Sequence, residues 1–77
     1  MIHTIIAYVE DKPGVLNRVA SLFRRRGFNI ESLAVGHTNM AGVSRMTIMV
    51  NAEEENVAKR IEANLYKLVN VLRVDDL

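Results

Sequence analysis

The sequence predicts an α+β fold in which four antiparallel strands carry two helices on one face, in the order β-α-β-β-α-β. Three observations lead there. Two segments place apolar residues at helical spacing. Four others are rich in β-branched residues or alternate in polarity, and turn residues separate the segments.

Ile2 to Val9 is the first strand, dense in β-branched residues. Its two faces are Ile2, Thr4, Ile6, Tyr8 and His3, Ile5, Ala7, Val9. Both carry apolar groups, so the strand is expected to be central and partly covered on its second face. Asp11 to Gly14 turns the chain into a helix, with Pro13 in the first turn, where a missing N–H costs nothing. Val15, Leu16, Val19, Ala20, Leu22 and Phe23 form its apolar stripe. Arg24 to Arg26 sit at its carboxyl end, where the helix dipole favours cations. Gly27 suits a left-handed stop, and Phe28 can fold back on the last turn.

Asn29 to Val35 is the second strand, and "GHTNMAG" from Gly36 to Gly42 is a turn. Val43 to Val50 alternates as the third strand. Asn51 is expected to cap the second helix with Glu54 as its capping-box partner, Glu53 and Glu55 adding negative charge. Val57, Ile61, Leu65 and Leu68 are its buried stripe, and Val69 to Val74 is the last strand. Right-handed crossovers place both helices on one side, with the first and third strands central and the second and fourth at the edges. This is the ferredoxin-like arrangement. A second, apolar sheet face with Ile5, Ala7, Val9, Val43 and Met49 is expected to receive another subunit or a further domain.

A chain of 77 residues is one domain. At this size only about 60% of the unfolded surface is buried. There is no cysteine to staple it and 49% of the residues are hydrophobic, so oligomerisation is the expected support. The net charge of +1 gives no basic footprint for nucleic acid. No apolar run approaches the roughly 18 residues of a membrane helix. "MIHTIIAYVEDKPG" lacks a basic leader and a cleavage site, which makes a cytoplasmic location the default.

Known chemistries of this fold find little here. RNA-binding versions stack bases on aromatics of the two middle strands, and Tyr8 is the one strand aromatic. Soft-metal carriers need a Cys-x-x-Cys loop. Small phosphatases need a glycine-rich cradle with a matched arginine, and "EDKPGVL" has neither. His3 and His37 lack metal-ligand spacing and read as a strand-face filler and a loop polar residue. Ser21, Ser32 and Ser44 have no evident base beside them. No catalytic residue, metal ligand or cofactor is assigned, and the arginine run reads as a solvated helix end.

"DKPGVLNRVASLFRRRGFNIESLAVG", then "SRMTIMV", then "LYKLVNVLRVDDL" resemble the regulatory (small) subunit of acetolactate synthase over nearly the whole chain. The matching region is that family's N-terminal ACT domain, which is ferredoxin-like and binds amino acids. The resemblance implies a single ACT domain over residues 1–77, without the family's second, C-terminal domain. Its implied role is feedback regulation of branched-chain amino-acid synthesis. The implied partners are a second copy, the effector valine, and a separate thiamine-diphosphate-dependent catalytic (large) subunit. No cofactor is expected on this chain.

The resemblance also implies a site between two copies. Asp11, Pro13, Gly14, Val15 and Leu16 of one would face Asn29 and Ile30 of the other. A helix amino end offers N–H groups for a carboxylate, and Gly14 lets backbone approach it. Asn29 offers a donor and an acceptor, and Asp11 a counter-charge for the ammonium. Val15, Leu16 and Ile30 can meet the isopropyl group. One methylene contributes about 0.8 kcal/mol, so leucine and isoleucine are incompletely excluded. The family often has asparagine at position 11, where this chain has Asp11. From the residues alone Gly14 equally permits a tight turn, Asn29 a strand-entrance bond and Asp11 a helix cap. An ACT-type dimerisation module without effector binding is the alternative function.

Overall fold

The computed structural model describes residues 1–54 and 56–77. Six elements follow in order: β1 Ile2–Glu10, α1 Val15–Arg26, β2 Ile30–His37, β3 Val43–Asn51, α2 Val57–Leu65 and β4 Val71–Asp76. One antiparallel sheet runs β2-β3-β1-β4, so β1 and β3 are central and β2 and β4 are edges, as the sequence predicts. No helix among the described residues is long and apolar enough to cross a membrane.

One sheet face packs on both helices. Ile5, Ala7 and Val9 pair in register with Ile48, Met46 and Ser44, and all six are buried beneath Val19, Phe23, Ile61 and Leu65. The expected second face therefore divides. Ile5, Ala7 and Val9 belong to the helix side, whereas Val43 and Met49, paired with Glu10 and Thr4, lie on the open side. Pleat parity sets this, because directly paired residues of an antiparallel ladder share a face.

α1 ends as its sequence requires. Gly27 has φ 73°, and its N–H donates to the carbonyls of Arg24 and Phe23. The Phe28 N–H reaches the Phe23 carbonyl at 3.1 Å, and the two rings meet edge to face at 5.8 Å.

Several boundaries differ from expectation, among them the end of α2 at Leu65, which leaves Leu68 partly buried beyond the helix. Gly36 and His37 continue β2, paired with Arg45 and Ser44, so the turn starts at Thr38, whose hydroxyl donates to the Val43 carbonyl at 2.9 Å. Asn51 ends β3 and caps no helix. It pairs with Ile2, its N–H donates to the Asn29 carbonyl at 3.0 Å, and its side-chain amide donates to Glu31 at 3.2 Å. Glu54 pairs instead with Arg60. α2 starts at Val57 after Asn56, without a side-chain cap, and the charge expected from Glu55 lies outside the described residues. β4 begins at Val71, because the Val71 N–H turns back to the Leu68 carbonyl and Val69 is exposed.

Candidate functional site

The end of β1 enters a turn tied down from both sides. The Glu10 N–H donates to the Asn70 carbonyl at 2.9 Å, and the Asp11 N–H to the Gly42 carbonyl at 2.8 Å. Gly14 then takes φ 85°, in the left-handed region that a Cβ disfavours, and serves as the N-cap of α1. It offers no side-chain cap, so Asp11 does not cap this helix. The Val15 N–H is satisfied by the Lys12 carbonyl at 3.2 Å. Among the described residues, no protein acceptor meets the N–H groups of Gly14, Leu16 and Asn17. A helix start in this state presents unpaired donors and the positive end of its dipole.

This turn bounds a recess of about 610 Å³. Asp11, Pro13, Gly14, Val15 and Leu16 all line it. The opposite wall is the last part of β2, Val35, Gly36 and His37, with Ser44 of β3. Val15 is buried in its floor, whereas Leu16 and Val35 are each 46% exposed and supply apolar walls. Asp11 and His37 face each other across the mouth, with Oδ2 and Nδ1 3.8 Å apart.

Asn29 and Ile30 do not join this recess in the same protomer. They stand at the other end of β2, eight and seven residues before His37, about 23–26 Å away at strand rise. Asn29 is exposed, and its side-chain amide has no partner among the described residues. Ile30 is half-buried against the core.

Val35, His37, Arg18 and Asn70 contribute as well, and none of them is among the site residues the sequence predicts. His37 ends a strand in the recess rather than lying in a loop. Arg18 and Asn70 brace the turn from behind. Arg18 donates to the Asn70 side-chain oxygen, and the Asn70 amide donates to Glu10 Oε1 at 3.3 Å. Glu10 also binds Lys12 at 2.9 Å. That hydrogen bond and charge, helped by Asn70, hold the Glu10 carboxyl below the usual carboxylate range. A 52-residue separation hides the Arg18–Asn70 contact from any local pattern.

A ferredoxin-like sheet with a donor-rich recess at its first strand-helix turn, beside an unpaired edge strand, defines an ACT-type domain. Residues 5–73 match the family model described as "AHAS small subunit-like ACT domain". The acetolactate synthase small subunit of Mycobacterium leprae is 58% identical over 72 residues, which are 94% of this chain and 42% of that protein. The probable acetolactate synthase small subunit of Archaeoglobus fulgidus is 52% identical over 77 residues, all of this chain and 48% of that protein. The crystal structure of the Thermotoga maritima acetolactate synthase small subunit superposes with a TM-score of 0.94 at 43% identity, covering 99% of this chain and 47% of that one. The chain belongs to the AHAS small subunit-like ACT domain family. It spans about half the length of the curated relatives it matches.

Proposed function

We propose that this domain binds a branched-chain amino acid, valine first among them, at a seam between two copies, and thereby regulates the catalytic subunit of acetolactate synthase. The observation that carries the reading is the recess itself: N–H groups of Gly14, Leu16 and Asn17 with no acceptor among the described residues, with apolar walls at Leu16 and Val35, beside an open sheet edge. The N–H groups suit a carboxylate, Asp11 an ammonium, and the apolar walls a short branched side chain.

The second copy supplies what one protomer lacks. Antiparallel pairing of two β2 edges about a two-fold axis brings the Asn29 end of one strand beside the His37 end of the other. Asn29 and Ile30 then close the recess across the seam. Pairing also covers Leu33 and Val35, both about half exposed on one protomer. A ligand that favours one arrangement of the pair shifts the partner enzyme's state by that preference alone, about 1–3 kcal/mol in typical allosteric coupling.

Calorimetric titration of the chain with valine, leucine and isoleucine tests the reading. Saturable binding of one ligand per recess, strongest for valine, is expected, together with lower acetolactate output when valine is added to chain and catalytic subunit combined. Flat traces for all three at millimolar concentration leave dimerisation without an effector as the function.

A further inference from the structure

We propose, resting on the amino-acid reading of the recess, that His37 is a further determinant of this site: it shares Asp11 with the ligand's ammonium, so ligand binding is coupled to the imidazole proton. Nδ1 of His37 and Oδ2 of Asp11 stand 3.8 Å apart. That is too far for a strong hydrogen bond and close enough for charge to matter.

The other charges around the recess are already committed. From the turn, Lys12 pairs with Glu10 at 2.9 Å. From α1, Arg18 reaches the turn near Gly14 and donates to Asn70. From β3, Ser44 is neutral, and Arg45 pairs with Gly36 on the opposite sheet face. Among the described residues, His37 is the cation-forming side chain recorded within 4 Å of the Asp11 carboxylate.

Both side chains are largely exposed, at 87% and 52%, so this pair contributes little to the stability of one protomer. Its consequence lies in occupancy. A neutral imidazole leaves the Asp11 carboxylate to the ligand's ammonium. An imidazolium takes that carboxylate and places a second cation beside the ammonium. Histidine is the side-chain type whose charge changes between about pH 5 and 8, whereas the charges of a free amino acid do not change between about pH 5.5 and 7.5. Competition for one carboxylate, screened by solvent, then weakens binding about two- to fivefold across that interval. Binding releases the imidazole proton.

The test is calorimetric titration of the chain with valine at about pH 7.5 and 5.5, with sedimentation at both. The dissociation constant is expected to rise about two- to fivefold on acidification, with the dimer unchanged, and His37→Gln is expected to remove the rise. Proton NMR of the His37 ring is expected to show its titration moved to lower pH by valine. Equal affinity at both pH values, an undiminished slope in His37→Gln, or a dimer that dissociates at the lower pH overturns the role of His37 and leaves amino-acid binding standing. No binding at the higher pH overturns the amino-acid reading, and the coupling with it.

Discussion

At Gly14 the backbone rather than the available space decides what a side chain would cost. A Cβ built there meets Arg18 Nη2 at 3.8 Å, an ordinary contact, but φ is 85°. A left-handed L-residue costs roughly 1–2 kcal/mol. Gly14→Ala is therefore expected to lose about 1 kcal/mol in urea denaturation, and to weaken valine binding as the turn shifts. Gly36→Ala is the control: its φ is not positive and a Cβ there meets nothing, so stability should hold within about 0.5 kcal/mol. Equal losses in both variants would remove the special standing of the turn. Gly14 and Gly27 were legible because each stands where a helix begins or ends, and each takes a positive φ. Asn51 was misread for an equally local reason. Asparagine followed by Glu54 fits a capping box, but pairing with Ile2 and the bond from its N–H to the Asn29 carbonyl hold it in the strand.

Among the elements, the turn after β1 keeps its shape because three segments meet on Asn70. That residue is 8% exposed. Its carbonyl accepts from the Glu10 N–H, its side-chain oxygen accepts from Arg18, and its amide donates to Glu10. Asn70→Ala leaves Arg18 and Glu10 without these side-chain partners, and a loss of about 1–3 kcal/mol is expected by denaturant titration. Amide exchange should quicken at Glu10, Asp11, Lys12 and Val15, the hydrogen-bonded amides of this turn, more than in α2, and uniform quickening would argue against a local brace. The same cluster has a pH signature whose sign follows from Glu10. Its folded carboxyl titrates below its unfolded value. The associated stabilisation is complete above the ordinary glutamate range and is lost as pH falls through the depressed value. The strands and helices were legible from period and turn residues, but this brace joins positions far apart in sequence. The sheet-face assignment mixed strands for a related reason: register, not composition, decides which of Ile5 and Met49 faces the helices.

On the scale of the whole molecule, β2 is the element that one protomer leaves unfinished. Its outer edge is unpaired, and Glu31 to His37 are all exposed. Leu33, Val35 and His37 share the helix side of the sheet with Ile48, Met46 and Ser44, yet neither helix buries them. A small domain with an exposed apolar edge strand is prone to pair through it. The sequence marked Asn29 and Ile30 as site residues only through family resemblance, because their neighbours across the proposed seam belong to another copy. Leu33→Lys tests the seam directly. Leu33 is 45% exposed in the protomer and lies outside the recess, so a lysine there can reach water, and the monomer should keep its fold and circular dichroism. In a β2–β2 pair that sets Asn29 opposite His37, the same two lysines would lie near the two-fold axis and lose solvation together. Sedimentation is expected to show a monomer, and valine binding should disappear with the dimer because Asn29 no longer reaches the recess. A Leu33→Lys dimer that still binds valine would place the seam elsewhere. A monomer that binds valine undiminished would show that one copy completes the site and that Asn29 takes no part in it.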